Sequence, residues 1–464
     1  MFLFAAAASA QEFDLAILNG RVMDPESGLD AVRHVGVSGG VIRAISAEPL
    51  RGKTVMDAKG LIVAPGFIDL HQHGQTPEDY RFKAADGVTA ALELEVGTAD
   101  VDAWYAAREG RSLIHFGVSI GHLPTRMAVM GDAPAFLPGG KDKAALKVAS
   151  DEDLAALKRQ IELGLKRGAV AVGFGVQYTP AATQWELLEM FRVAAKFGAS
   201  CHVHVRAPGD REGSIQGMSE VLAASALTGA PLHIVHIQSS GGRSTPKLLQ
   251  MVAEAQARGL DITAECYPYR AGMTDIRSAL YDEGWQQRLN VTYNDLLWPP
   301  TGERLTPESF ARYRQSGGLV VAFTNPEEVV QAAVASPLTM IASDGLPGHP
   351  RNAGTYARIL GHYVREQKAL TLMEALRKMS LLPAQRLEKR APMMKNKGRI
   401  RAGADADLVI FDAGKILDKA TFEKPAQLSD GIKFVLVNGV AVVKDGQLTE
   451  GVLPGRAVRA PVQP

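Results

Sequence analysis

Eight short apolar runs, alternating with stretches of helical periodicity, fill the middle of this 464-residue chain and leave few folds open to it. They are FIDLHQH (67–73), VTAALELE (88–95), HFGVSIGH (115–122), AVAVGFG (169–175), SCHVHVR (200–206), PLHIVHIQ (231–238), LDITAECYPY (260–269) and LTMIASDG (338–345). Strands that alternate with helices imply a parallel sheet with crossover connections. Eight of them predict a closed (β/α)8 barrel. Between the runs, EDLAALKRQIELGLKRG and TQWELLEMFRVAAKFG carry apolar residues at helical spacing, and each ends near a glycine able to stop a helix.

The two ends have a different texture. LAILNGRVMD, VGVSGGVIRAI and TVMDAKGLIVAPG are alternating strands with Gly-rich turns, and ADLVIFD and IKFVLVNGVAVVKDGQL repeat that pattern near the C-terminus. The simplest arrangement is one small β-sandwich built from residues 11–64 and 391–464, with the barrel, 65–390, inserted between its halves. Residues 274–337 are too many for a simple crossover; with Trp285, Trp298 and the turn-prone PPTGE they read as an insertion lidding the barrel mouth. The opening ten residues, short, apolar and ending in Ala-Ser-Ala, fit the remnant of a signal peptide, although no Lys or Arg precedes them. That reading makes the protein periplasmic or secreted; the rival one is a cytoplasmic protein with an apolar N-terminus.

Charge narrows the partners. Lys and Arg (51) nearly balance Asp and Glu (50), with no dense basic block, so neither nucleic acid nor an anionic membrane is implied, and a small-molecule substrate is expected. No run approaches the roughly 18 apolar residues of a membrane span. The two cysteines, Cys201 and Cys266, fall inside expected buried strands and read as core residues rather than a disulfide. No oligomeric contact is read from the sequence.

Functional side chains of such barrels gather at the C-terminal ends of the strands. His71 and His73, one residue apart on a strand, share a face and lie about 6 to 7 Å apart along the chain, close enough to share a cation. The second strand ends in Glu93 and Glu95, the fifth holds His202 and His204, the sixth His233 and His236, and the eighth ends in Asp344. Imidazole and carboxylate are the donors zinc accepts, and a catalytic site keeps a position open for water. One ion or a pair bridged by a carboxylate is expected, with Asp344 taking and returning a proton during hydrolysis of an amide or similar C–N bond. Depth favours Glu95 over Glu93 and His204 over His202, because the favoured residues lie nearer the mouth. His233 and His236 have opposite parity; His236 is favoured for the same reason, leaving His233 to packing.

The motifs APGFIDLHQH, DGVTAALE, HVHVR, IVHIQ, CYPYRAG, IASDG, HPRNAGTYARILGHY and GRIRAGADADLVIFD resemble the amidohydrolase superfamily, and within it the N-acyl-D-amino-acid deacylases, or D-aminoacylases. The resemblance implies zinc, a distorted barrel beside a β-sandwich, and hydrolysis of an N-acyl amino acid, with metal-ligand roles for His71, His73, His204, His236 and Asp344. It also implies that Tyr267 and Arg351 hold the substrate carboxylate, a role that suits the planar donor pair of Arg. His122, ending the third run, is expected to line the mouth and steady the substrate.

The sequence departs from the deacylase pattern at several positions. Glu95 stands where the deacylases place a bridging cysteine. The fourth run lacks the lysine of the hydantoinase and dihydroorotase branch. Gln238 and Met273 replace a lysine and a serine, and the loop from Asp344 to Arg351 is shortened. The main rival is a metal-dependent dipeptidase, which needs an acidic residue at the mouth to hold the free amine of its substrate. A cyclic-base deaminase fits poorly with Tyr267 and Arg351. A non-catalytic scaffold would show eroded ligands.

Overall fold

The computed structural model describes residues 12–206 and 212–463. The expected signal-peptide remnant lies outside them. Eight parallel strands run through the centre in sequence order: Phe67–Asp69, Val88–Thr98, His115–Gly121, Ala171–Gly175, Ser200–His204, Leu232–Ile234, Ile262–Cys266 and Thr339–Ile341. The barrel is nearly closed. Its first and last strands meet through a parallel bridge between Gln72 and Gly345, and the Ser343 backbone N–H donates to Asp69 Oδ1 at 3.0 Å.

The helices form where local chemistry starts and stops them. Ser150 caps Asp151–Lys166 in a reciprocal box with Asp153, and Gly168, at φ +91°, ends that segment. Thr183 accepts from the Glu186 N–H to open Gln184–Lys196. Both helices lay apolar faces on the strands, joining Leu157, Ile161, Leu187 and Phe191 to Val118, Val172 and Phe174 in the main core.

Strands from the two chain ends share one nine-stranded sheet. The join is antiparallel pairing of Ile62–Pro65 with Leu408–Phe411, in which Ala64 faces Val409. Leu15, Ile17, Val22, Val35 and Val37 pack there on Leu408, Ile410 and Leu436 in a core of their own.

The insertion carries a four-stranded sheet, Gly272–Asp275, Leu296–Trp298, Glu303–Arg304 and Leu319–Ala322, over a core of Trp285, Trp298, Tyr281 and Phe310. Several barrel strands are shorter than the apolar runs suggest. The first ends at Asp69, the sixth at Ile234 and the eighth at Ile341, so that functional residues beyond them lie on turns. The third ends at Gly121, and His122 opens a helix, His122–Met130.

Candidate metal centre

The cluster at the barrel mouth begins with the turn after the first strand. His71 forms an antiparallel bridge with Glu93, which aims both His71 and His73 at the second strand. Each imidazole is then oriented by a carboxylate on its Nδ1. His71 Nδ1 lies 2.5 Å from Glu265 Oε1, and His73 Nδ1 lies 2.7 Å from Glu93 Oε2. The two Nε2 atoms therefore converge, 3.1 Å apart. A carboxylate behind the imidazole fixes the tautomer and leaves the forward nitrogen with a lone pair to donate.

Glu95 stands at the centre. Its Oε2 is 2.5 Å from His71 Nε2, 3.4 Å from His73 Nε2 and 3.9 Å from His236 Nε2, while Oε1 is 3.0 Å from His204 Nδ1. Gly173, on the fourth strand, permits this approach, since a Cβ there would fall 2.2 Å from the Glu95 carbonyl oxygen. Asp344 closes the group, with Oδ1 at 3.5 Å from His71 Nε2 and 3.2 Å from His73 Nε2. Two donor sets result, His71, His73, Glu95 and Asp344, and Glu95, His204 and His236; within each, the donor atoms lie within 4.8 Å of one another. All six residues expected as ligands are brought together, with Glu95 common to both sets.

Two of the six reach the cluster by unusual backbone. His236 has φ +32° and Asp344 φ +50°, left-handed values that cost energy in non-glycine residues and persist at functional sites where surrounding packing imposes them. Strand parity, by which only one of His233 and His236 could face the lumen, is therefore not what positions His236. His236 sits in the turn before the short helix Ile237–Gly241. His233 points below the cluster, to Thr263 Oγ1 at 2.7 Å and Glu265 Oε2 at 2.9 Å. His202 also lies below, 3.1 Å from Ser200 Oγ and packed on the His233 ring.

The electrostatics call for a cation. Four buried carboxylates, Glu93, Glu95, Glu265 and Asp344, crowd this small volume. Burial pushes His71 down, yet Asp344, Glu265 and Glu95 together hold it up at about 10. Burial raises Asp344, but Arg351 and His71 more than offset it and hold the carboxyl well below its ordinary range. Burial pushes His236 down to about 3, so its imidazole is a neutral donor. Four imidazoles and two carboxylates supply the ligand set of a divalent ion such as zinc, and the ion supplies the positive charge these acids lack. Residues and group fit.

One expectation about substrate contacts is corrected. His122 does not line the mouth. It is fully buried, its Nε2 2.7 Å from Glu186 Oε1 and its ring stacked on Phe174, and Glu186 also takes Arg126. The helix beginning at His122 carries the ring away from the cavity. Arg351 is likewise 0% exposed and is not on the cavity wall; its Nη1 lies 2.9 Å from Asp344 Oδ2 and its guanidinium 4.8 Å from the centre of the Tyr267 ring. Tyr267 does reach the cavity, with its hydroxyl 3.1 Å from Asn325 Nδ2. Glu265 is a residue that the sequence reading passed over. A carboxylate in the middle of an apolar strand was the signal.

Above the cluster lies a cavity with His73, Glu95, His204, His236, Tyr267 and Asp344 at its floor. Its upper wall comes from the insertion and from the segment after His122–Met130.

A barrel with histidines and carboxylates gathered at the C-terminal ends of its strands, beneath a cavity, defines a class, the metal-dependent barrel hydrolases. The amidohydrolase family model matches residues 54–447, and the chain belongs to that family. It is 31% identical to the N-acyl-D-glutamate deacylase of Alcaligenes xylosoxydans xylosoxydans, over 97% of each chain. It is 29% identical to the D-aminoacylase of the same organism, over 95% of this chain and 97% of the relative. The solved N-acyl-D-glutamate deacylase of Bordetella bronchiseptica, complexed with zinc and a phosphonate inhibitor, superposes with a TM-score of 0.81 at 28% identity, covering 97% of this chain and all of that one.

Proposed function

We propose that this protein is a zinc-dependent deacylase that hydrolyses the amide of N-acyl-D-amino acids. The observation that carries the reading is the convergence of His71, His73, Glu95, His204, His236 and Asp344 on one centre at the cavity floor. The deacylase relatives, similar along nearly the whole chain, support it.

One or two zinc ions would be held by Glu95 with His71, His73 and Asp344 and by Glu95 with His204 and His236. Zinc at this place supplies Lewis acidity, polarising the amide carbonyl and lowering the pKa of water towards neutrality. The proton traffic falls to Asp344. Its Oδ2 is pinned by Arg351, and its Oδ1 faces the cluster. Oδ1 takes the proton of the attacking water as the new C–O bond forms, then gives it to the amide nitrogen as the C–N bond breaks. The products are a carboxylate and a free amine. Tyr267, on the wall, would receive the substrate α-carboxylate, with the Arg351 charge beneath its ring; direct contact with Arg351 requires exchange of its ion pair with Asp344. The dipeptidase reading gains no support, because the acids on the cavity wall among the described residues are Glu95 and Asp344, both within the cluster.

The test is a panel of N-acetyl-D-amino acids, N-acetyl-L-amino acids and dipeptides, read with metal analysis. Zinc-dependent release of amine from the D series is expected. Asp344→Ala should lower kcat by at least about 10³-fold, while Glu95 and four histidines keep zinc bound. Absence of zinc-dependent activity across the panel would end the assignment.

A further inference from the structure

The upper cavity wall differs sharply from its floor. Phe136, Leu137, Met273, Leu280, Leu289 and Leu346 face the space above the cluster, and the polar groups that share this lining, the hydroxyls of Tyr178, Ser239, Thr274, Tyr281 and Thr324, are uncharged. Among the described residues, no lysine or arginine lines this cavity. Arg351 lies behind this lining, beneath Tyr267 and paired with Asp344. That guanidinium is already taken up by Asp344, so it offers no free charge to a second carboxylate on the upper wall.

We infer that the side chain of the substrate is neutral and apolar, and that the cavity rejects acidic side chains. The inference rests on the deacylase reading and narrows it. A second carboxylate reaching the upper wall would leave water for a surface rich in leucine, phenylalanine and methionine, with no cation among the described lining residues to receive it. A buried charge without a partner is discriminated against far more strongly than a difference in apolar size, which is worth roughly 10 to 200-fold per methylene. An apolar side chain such as that of leucine, methionine or phenylalanine instead meets matching surface, and the lid core of Trp285, Trp298 and Phe310 holds that wall in place from behind. Overall similarity to an N-acyl-D-glutamate deacylase is therefore a poor guide to side-chain preference here.

The experiment compares kcat/KM of the zinc-loaded full-length protein on the N-acetyl derivatives of D-leucine, D-phenylalanine and D-methionine with those of D-glutamate and D-aspartate. The expected preference for the apolar group is at least about 100-fold. Met273→Lys, which puts one cation on the upper wall, should narrow that ratio by at least about tenfold, chiefly through KM for the acidic substrates. Equal or faster turnover of N-acetyl-D-glutamate would overturn the inference and leave the deacylase reading standing. If neither class is hydrolysed, the deacylase reading falls, and calorimetric titration of N-acetyl-D-leucine and N-acetyl-D-glutamate into the zinc-loaded protein decides the inference alone. Tighter binding of the leucine compound supports it, and equal or weaker binding overturns it.

Discussion

Glu265 shows what a single residue contributes without reaching the cavity. It holds His71 Nδ1 with one oxygen and His233 Nε2 with the other, and both contacts are fully buried. Replacing it by glutamine leaves one acceptor and sets an amide against the second imidazole, so His71 loses the restraint on its tautomer and ring angle. Glu265→Gln should weaken zinc binding by roughly 10 to 100-fold, measured by competition with a chelator of known affinity. An unchanged affinity would show that the Glu265 contact is packing alone. His71, His73 and Glu95 were legible because strand alternation and a charged residue at a strand end are local signals. His236 and Asp344 entered the expected set by position near the mouth, but the left-handed turns that aim them were not readable from residues that rarely adopt such angles. His122 misled for a related reason. HFGVSIGH reads as one strand to its last residue, whereas the chain turns at Gly121 and the imidazole finds Glu186, 64 positions away.

At the level of elements, the eighth strand depends on a lysine from the helical segment that follows it. Lys378 Nζ donates to the Ser336 carbonyl, to the Thr339 carbonyl at 2.7 Å and to Thr339 Oγ1 at 3.0 Å, and so ties down the entry to Thr339–Ile341. Burial pushes this amine down from 10.5 to about 8. The folded chain therefore gives up the proton near pH 8 and the unfolded chain near 10.5, so between those values the unfolded state binds more protons and stability rises with pH. The slope this one group adds is at most about 1.4 kcal/mol per pH unit. Denaturant unfolding at pH 7.5 and pH 10 should show the wild type gaining on Lys378→Met over that interval, whatever constant offset the lost hydrogen bonds introduce. Parallel curves for the two proteins would refute the shift. Order and type of these elements were readable, since the eight apolar runs sit where the eight strands are. Their ends were not, because the runs continue apolar into turns that pack against the same core. The internal sheet of the insertion also escaped notice, its strands being two to four residues long and too short to show a period.

For the whole molecule, the question is how a domain split between the chain ends is fastened to a barrel inserted within it. Backbone pairing of Ile62–Pro65 with Leu408–Phe411 closes the sheet, and a buried polar knot locks that sheet to the barrel. Asp407 accepts from Lys397 Nζ at 2.6 Å and from the Asn438 N–H at 2.7 Å, and both its oxygens lie 3.1 Å from His115 Nε2. His115 begins the third barrel strand, at the end of the barrel away from the metal centre, where residues serve stability rather than chemistry. Asp407→Ala would take the carboxylate from His115 and leave Lys397 with Asp405 alone as its acid in a dry interface, and breaking a buried pair from one side costs about 3–5 kcal/mol. Those same partners hold the Asp407 carboxyl far below its ordinary range. A depressed carboxylate contributes stability that is present above the unfolded value of 3.8 and drains away as pH falls through and below it. The gap between wild type and Asp407→Ala in denaturant unfolding should therefore be wide at pH 7 and shrink steadily below pH 4, while zinc affinity and turnover at low temperature stay within about twofold of wild type, because the knot and the mouth share no residue. A variant that kept its stability but lost zinc would reverse this picture and make the join between the domains part of the metal centre.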